Sequence, residues 1–186
     1  MHIAIFTILL AARVVFAGGC FWGMQAVFEP LRGVEKVVAG YSGGSAANAH
    51  YDLVSTGTTG HAESVEIAYD PAKISFNQLL DVYFTVAHDP TQLNRQGPDE
   101  GTQYRSEIFY TTNEQRDEAE KYIAQLEANH TFNAPIVTKI APLQAFYAAE
   151  DYHQDFVAHN PWNPYVMIND KPKLAALRSK FPALLR

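Results

Sequence analysis

The chain has 186 residues, of which 47% are apolar and 18% are charged, and its net charge is −6. These values are typical of one globular domain with a substantial hydrophobic core. The 14 Lys and Arg residues are outnumbered by 20 Asp and Glu residues, so we expect neither nucleic-acid binding nor attraction to an anionic membrane. The single cysteine, Cys20, excludes an internal disulfide and a cysteine-rich zinc site.

The first twelve residues, MHIAIFTILLAA, form an apolar segment. It is too short to span a bilayer and resembles the core of a signal peptide. No basic residue precedes it, since the first is Arg13, and this argues against export. AGGC also resembles a lipoprotein cleavage site, but it lacks the usual larger aliphatic residue. We therefore expect a cytoplasmic protein without stable membrane association; export is the alternative if residues 1–12 act as a signal.

The next segments alternate between strand and helix patterns. RVVFAGG predicts a strand ending in a Gly-Gly turn. A helix should follow, with Cys20 at its start, because apolar residues recur at helical spacing: Phe21, Met24, Val27, Phe28 and Leu31. VEKVVAGYSGG, AESVEIAYDP and TQYRSEIFYT predict three more strands. SFNQLLDVYFTVAH predicts a helix with Ser75 and Gln78 in capping-box register, and NEQRDEAEKYIAQLEAN a charged amphipathic helix.

The last third of the chain has shorter segments. IVTKI and LQAFYA predict a further pair of edge strands, AEDYHQDFVAHN a short helix, PWNPYVMINDKP a loop, and KLAALRSKF a terminal helix. These segments are too short for a doubly wound parallel sheet. We predict an α+β two-layer sandwich of the ferredoxin-like kind, in which helices pack on a mixed sheet.

Cys20 is the first candidate functional residue. At a helix N-terminus, unpaired N–H groups and the helix dipole stabilise a thiolate, which predicts a lowered pKa. The preceding glycines would let a substrate approach the sulfur. Phe21 and Trp22 follow directly and cannot both face one core, so at least one is expected to line a pocket; core packing is the alternative for either ring.

Glu63 is the second candidate. By strand alternation it shares a face with Val65, Ile67 and Tyr69. Burial on such a face would raise the pKa of its carboxyl and make it a general acid near neutral pH. A solvated glutamate at a strand end is the alternative.

The segment from His88 to Ser106 is the third candidate. It is a long polar loop of the kind that is usually functional in a compact domain. His88 is either a base or, as we favour, a structural histidine at a helix end. The seven histidines include no HExxH-like pair, so no metal site is expected.

Five motifs, in this order, carry a resemblance to a known family: GGCFWGMQAVF, GYSGG, TGHAESVEIAYDP, HDPTQLNRQGPDEGTQYRS and EDYHQDF. From about Arg13 to Asn160 the chain resembles the peptide methionine sulfoxide reductase A family. The resemblance implies that Cys20 is the nucleophile and Glu63 the acid. It implies that Tyr51 and Tyr104 hydrogen-bond the sulfoxide oxygen. Phe21 and Trp22 would form the pocket for the methyl group, and Asp99 would help to hold the substrate backbone.

The resemblance also implies a reaction. Cys20 would attack the sulfur of a methionine sulfoxide of the S epimer in a protein or peptide, and would become a sulfenic acid. A sulfoxide sulfur is electrophilic only when its oxygen is protonated or strongly hydrogen-bonded. A neutral glutamate and two phenols would supply those donors, as an oxyanion hole does in acyl transfer.

The sequence departs from the family pattern in two places. Gln25 stands where relatives often have an acidic residue. The tail contains no resolving cysteine, so an outside thiol must reduce the sulfenic acid: thioredoxin, glutaredoxin with glutathione, or a small thiol. No bound cofactor is expected.

We divide the chain into a catalytic domain, residues 13–160, and a C-terminal extension, residues 161–186, and expect a monomer. Trp162 and Tyr165 suggest that the extension covers the mouth of the active site.

Two other functions fit fewer of these motifs. A thiol hydrolase would pair Cys20 with His61 or His88 and would not need Glu63. A non-enzymatic module would bind oxidised methionine without consuming it.

Overall fold

A computed structural model of the protein describes residues 11–186. The predicted signal-like segment, residues 1–12, therefore lies almost entirely outside the described residues. Within 11–186, no helix combines the length and the apolar character needed to cross a membrane.

A six-stranded sheet organises the fold. Its strand order is β7-β6-β1-β3-β2-β8, and a separate hairpin is formed by β4 and β5. All neighbours in the large sheet are antiparallel except β6 and β7, which are parallel. The strands are β1 (Ala12–Gly18), β2 (Val34–Ser42), β3 (Ala62–Tyr69), β4 (Arg95–Gln96), β5 (Asp99–Glu100), β6 (Ser106–Tyr110), β7 (Lys139–Pro142) and β8 (Phe146–Ala148).

The helices connect and cover these strands. They are α1 (Phe21–Phe28), α2 (Tyr51–Val54), α3 (Phe76–Val82), α4 (Asn113–Ala128), α5 (Phe156–His159) and α6 (Lys171–Lys180). The predicted capping box is present at the start of α3: the Ser75 hydroxyl accepts from the Gln78 backbone N–H at 3.1 Å, and the Gln78 side chain accepts from the Ser75 N–H at 2.9 Å.

The main core lies on one face of the sheet. Val14 and Phe16 of β1 point into it, and Phe16 stacks on Tyr83 with ring centroids 4.6 Å apart. The intervening residues Val15 and Ala17 point to the opposite face, where they join a smaller cluster. This strand alternation places the helical layer on one side. The prediction of an α+β fold with helices packed on a mixed sheet is confirmed.

The two late strands are edge strands, as predicted: β7 adds to β6 and β8 adds to β2 at opposite edges of the sheet. Two local predictions differ from the structure. TQYRSEIFYT becomes strand only from Ser106, after a 3₁₀ turn at Thr102–Tyr104. The predicted loop before α6 contains a π-helical turn, Val166–Asp170. The wider turn is closed by the Lys171 backbone N–H, which donates to the Val166 carbonyl five residues back, and Pro172 follows directly.

The C-terminal segment returns to α1 and β2. Leu185 forms a β-bridge with Leu31 just beyond α1. The Arg186 guanidinium donates to the Glu29 carbonyl at 3.0 Å, and the Arg186 N–H donates to the Pro30 carbonyl at 3.1 Å. These bonds hold the end of the chain against the helix that begins next to Cys20.

Candidate active site

Cys20 lies in the turn between β1 and α1 and occupies the N-cap position of α1. Gly19 makes this turn with φ +92°, and a Cβ at Gly19 would lie 2.6 Å from the Gln96 side chain. Glycine is therefore required both by the backbone conformation and by the close approach of the polar loop. Cys20 itself is only 8% exposed, so the thiol is almost entirely shielded from solvent.

The electrostatic environment of Cys20 differs from the sequence-based expectation. Burial raises the pKa of the thiol, and the charges of Glu63, Asp170 and Asp99 raise it further. The Trp22 backbone N–H acts in the opposite direction, as a helix N-terminus should. The predicted lowering of the pKa is therefore wrong for the substrate-free protein, because burial and acidic neighbours outweigh the helix terminus.

Glu63 lies on β3 and is 2% exposed. Its Oε2 accepts the Phe21 backbone N–H at 3.0 Å, which places the carboxyl against the first turn of α1. Burial raises the pKa of Glu63 to about 8, in spite of that hydrogen bond. A carboxyl in this environment is protonated at neutral pH and can act as an acid.

Tyr51 and Tyr104 come from two segments that are hydrogen-bonded to each other, the helix α2 with the residues after it and the 3₁₀ turn Thr102–Tyr104. The Thr102 hydroxyl donates to the Gly57 carbonyl at 2.6 Å, and the Gln103 amide donates to the Ser55 carbonyl at 3.1 Å. Burial raises the pKa of both phenols, and both respond to the charges of Glu63, Cys20 and Asp99. Neither hydroxyl hydrogen-bonds to any residue from 11 to 186, so both can donate to a ligand.

Phe21 and Trp22 lie in different environments. Phe21 is fully buried and packs on Tyr41, whereas Trp22 is half-buried. The Trp22 Nε1–H donates to His153 Nδ1 at 3.0 Å, and the indole stacks on Phe156 with centroids 3.7 Å apart. These contacts hold the indole in one orientation next to Cys20.

Asp99 lies on β5 and contacts the C-terminal extension. The Tyr165 hydroxyl donates to its Oδ2, and the Tyr165 ring meets Trp22 edge-on. Tyr165 is thus part of the wall around the cysteine. Trp162 is not, because it is 78% exposed and packs against the Lys171 ammonium.

The two histidines of the hydrolase hypothesis have structural roles. His61 uses both ring nitrogens, on the Gly44 N–H at 3.2 Å and the Ser45 carbonyl at 2.9 Å. The His88 Nδ1 lies 2.9 Å from the Tyr83 carbonyl, and burial lowers the pKa of this histidine to about 3. No histidine among residues 11–186 hydrogen-bonds to Cys20. That part of the chain also contains no group of three or more His, Cys, Asp or Glu residues arranged to hold a metal.

Three residues that shape this site have no assignment from the sequence. Glu150 accepts the Tyr51 N–H at 2.9 Å and the Tyr41 hydroxyl at 2.8 Å, and thereby fixes α2. His153 orients Trp22. Both lie within EDYHQDF, so that motif is the sequence signal that could have identified them. Asp170, which is fully buried, stands in a segment predicted to be a loop and had no signal.

The fold and the site define a cysteine-centred enzyme in which one thiol is surrounded by a neutral carboxyl and two free phenols. A family model described as peptide methionine sulfoxide reductase matches residues 12–184. "Peptide methionine sulfoxide reductase MsrA 2" of Mesorhizobium japonicum is 58% identical over 170 residues, which are 91% of this chain and 87% of that protein. The chain therefore belongs to the peptide methionine sulfoxide reductase family, and it is an oxidoreductase that reduces methionine sulfoxide.

Solved structures agree with this assignment. The reduced form of Mxr1 from Saccharomyces cerevisiae superposes with a TM-score of 0.77 at 32% identity, over 84% of this chain and 90% of that one. Mxr1 has also been solved in complex with Trx2, and that structure shares the fold with a TM-score of 0.56 at 23% identity, over 81% of this chain and 88% of that one.

Proposed function

We propose that the protein reduces the S epimer of methionine sulfoxide in proteins and peptides, with Cys20 as nucleophile and Glu63 as proton donor. The observation that carries this assignment is the neutral, buried Glu63 held by the Phe21 N–H next to the thiol. Because Oε2 accepts that N–H, the proton of the carboxyl resides on Oε1. Oε1 would donate to the sulfoxide oxygen together with the hydroxyls of Tyr51 and Tyr104.

The proposed step balances as one oxygen transfer. The Cys20 sulfur attacks the sulfoxide sulfur while Glu63 protonates the oxygen. The hydroxyl then moves from the substrate sulfur to the Cys20 sulfur, so the sulfur–oxygen bond of the substrate and the transient sulfur–sulfur bond both break and a new sulfur–oxygen bond forms on Cys20. The proton of the thiol replaces the one that Glu63 gave up. Cys20 ends as a sulfenic acid, the sulfoxide has been reduced to methionine, and the carboxyl is neutral again.

Three further side chains would select the substrate. Phe21, as the buried inner wall, and Trp22 would contact the methyl group, and Asp99 would hold the substrate backbone. A methyl pocket, an oxygen site and a nucleophile define three points around a chiral sulfur. Three fixed points accept one epimer only, and the resemblance to the peptide methionine sulfoxide reductase A family implies that it is the S form.

An external thiol would complete the cycle, because Cys20 is the only cysteine. Two reducing equivalents from thiols would convert the sulfenic acid to a thiol and water and would leave a disulfide on the reductant. We favour a thioredoxin, with support from the complex of yeast Mxr1 with Trx2. Glutaredoxin with glutathione is the alternative.

We also propose that residues 13–160 form the catalytic part and residues 161–186 an extension that covers its mouth. The contact of Tyr165 with Asp99 supports this role.

The ferredoxin-like description is supported by the chain order β1-α1-β2-β3-α3-β6, which gives the sheet order β6-β1-β3-β2. We propose that the protein is a cytoplasmic monomer; export is the alternative if residues 1–12 act as a signal.

Turnover of separated S and R methionine sulfoxide peptides, with dithiothreitol as reductant, tests the assignment. We expect consumption of the S peptide alone and no turnover by Cys20→Ser. For Glu63→Gln we expect the rate to fall by about a hundredfold or more. One turnover without reductant should add the mass of one oxygen atom to the protein. Consumption of the R peptide, or full activity of Cys20→Ser, would contradict the proposal. Replacing dithiothreitol by a thioredoxin system or by a glutaredoxin–glutathione system identifies the reductant.

A further inference from the structure

Asp170 is a buried carboxylate that the proposed reaction does not use. It lies at the end of the π-helical turn, immediately before α6, and its side chain is fully buried. Neither carboxylate oxygen has a hydrogen-bond partner among the described residues. Buried polar groups are nearly always hydrogen-bonded, and an unpartnered buried carboxylate is costly. A residue that carries this cost in a site wall calls for a functional explanation.

The position of Asp170 relative to α1 indicates what it acts on. A Cβ built on Gly23 would lie only 2.2 Å from Asp170 Oδ1, so a larger residue at position 23 would displace the carboxylate. Gly23 is the third residue of α1. The carboxylate therefore rests directly on the first turn of the helix whose N-terminal end adjoins Cys20. That end carries partial positive charge, which would otherwise stabilise a thiolate.

Lys173 places an opposite charge beside the same turn. Its ammonium nitrogen lies 3.3 Å from the same Cβ position on Gly23. None of the salt bridges within 4.0 Å in residues 11–186 involves Lys173. The charge of Asp170 is thus moderated by Lys173 but not neutralised by direct contact. Asp170, the N-cap of α6, and Lys173, within α6, therefore place opposite charges beside the same residue of α1, Gly23.

We propose that Asp170 is a positioning residue that keeps the Cys20 thiol protonated in the resting enzyme by opposing the positive end of helix α1. The proposal rests on the role of Cys20 given above and extends it to the C-terminal extension. A protonated thiol is a weak nucleophile, so the only cysteine is spared from alkylating and oxidising agents until a sulfoxide is bound.

The titration behaviour of the surrounding groups supports this role. Burial raises the pKa of Asp170 to about 6, so the carboxylate is charged at pH 7 and above. The charge of Asp170 is among the causes that raise the pKa of Cys20. The titratable and charged groups around the thiol come from six segments of the chain: Tyr51, Glu63, Asp99, Tyr104, Tyr165, Asp170 and Lys173.

Alkylation of Cys20 by iodoacetamide, followed by mass spectrometry from about pH 6 to pH 10, tests the proposal. Since Cys20 is the only cysteine, alkylation reports this thiol alone. Asp170→Asn keeps the shape of the side chain and removes its charge. We expect its alkylation profile to move to lower pH, with a rate at neutral pH increased by about threefold or more. Lys173→Met should move the profile to higher pH.

Opposite shifts in the two variants support the proposal, and unchanged profiles or shifts in the same direction overturn it. If Asp170 had only a structural role, its substitution would change the unfolding temperature, but the two variants would not shift the alkylation profile in opposite directions. If Asp170→Asn does not fold, the half-buried Lys173 still gives a decisive measurement. Alkylation needs no sulfoxide turnover, so this result stands apart from the turnover assay: either proposal can fail while the other holds.

Discussion

The catalytic role proposed for Glu63 has a consequence for the stability of the fold. One of its oxygens caps the first turn of α1, and the other is left to carry a proton. The burial that keeps the carboxyl neutral also makes its ionised form unfavourable in the folded protein. In the unfolded chain Glu63 is solvated and ionises freely. The free energy of unfolding therefore falls with rising pH in the range where Glu63 is ionised in the unfolded chain but protonated in the folded protein.

We predict that Glu63→Gln stabilises the fold while it suppresses activity. Glu63 ionises near pH 4.5 when unfolded and near pH 8 when folded. Between these values the folded protein holds one proton more, so its free energy of unfolding falls as pH rises. The variant lacks this loss, and its advantage should grow by up to roughly 1.4 kcal/mol per pH unit. Urea unfolding of both proteins at pH 5 and pH 8 measures it; an advantage independent of pH would refute the prediction.

At this scale the sequence predicted the burial of Glu63 but not the protonation state of Cys20. Strand alternation alone placed Glu63 among apolar residues, and the structure agrees. The lowered thiol pKa followed from the helix start that Cys20 shares with Phe21. It failed because Asp170, distant in sequence and without a local pattern, is brought onto Gly23 by tertiary packing.

Helix α1 is connected at its centre to two other parts of the fold. The Gln25 amide donates to the Val37 carbonyl at 3.2 Å and to Asp155 Oδ1 at 3.4 Å. Its oxygen accepts the Asp155 backbone N–H at 2.9 Å. One buried amide therefore joins α1 to β2 and to the segment before α5, and this requires both a donor and an acceptor.

We predict that Gln25→Glu destabilises the protein by about 1 to 3 kcal/mol. The introduced carboxylate has no donor for Val37 or Asp155, and it places a negative charge beside the Asp155 carboxylate. The loss should be larger at pH 8 than at pH 5. The double variant Gln25→Glu with Asp155→Asn should recover part of it, because the amide introduced at position 155 can donate to the carboxylate introduced at position 25. Urea unfolding of the four proteins forms a double-mutant cycle; additive losses would argue against the link.

At the scale of elements, local patterns predicted most of the sheet and helices. The strands around Cys20 and Glu63 alternate clearly, and the capping box at Ser75 is a local signal. The placement of β7 and β8 depends on non-local pairing, which no short segment specifies. The helical turn at Val166–Asp170 has the sequence pattern of a loop, because prolines flank it on both sides.

At the scale of the whole molecule, the C-terminal segment packs against α1 and against the wall around Cys20. The segment after Asn160 contributes Tyr165 to the site wall, buries Val166 and Leu177 in the protein interior, and ends in bonds to the backbone after α1. The chain terminus and the catalytic turn thus share one structural unit. The sequence suggested a covering role through Trp162 and Tyr165; of these, Tyr165 contacts Asp99, whereas Trp162 is exposed.

We predict that removal of residues 161–186 lowers both stability and turnover. Loss of buried apolar side chains should reduce the midpoint of thermal unfolding by about 5 to 10 °C. Turnover with dithiothreitol should fall, because Asp99 and Trp22 lose their contacts with Tyr165. Calorimetry and the peptide assay measure the two effects. Trp162→Ala is the matched control and should change neither; an unaltered truncated protein would end the idea.

The burial of the only cysteine has a kinetic consequence. Substrate and reductant must reach the same shielded sulfur, the first as a sulfoxide and the second as a thiol. The two therefore compete for one site during each catalytic cycle, in a ping-pong sequence. An excess of methionine sulfoxide would occupy the oxidised enzyme without reacting and would delay its recovery. Abundant damage would thus limit its own repair, unless the supply of reducing thiol increased with it.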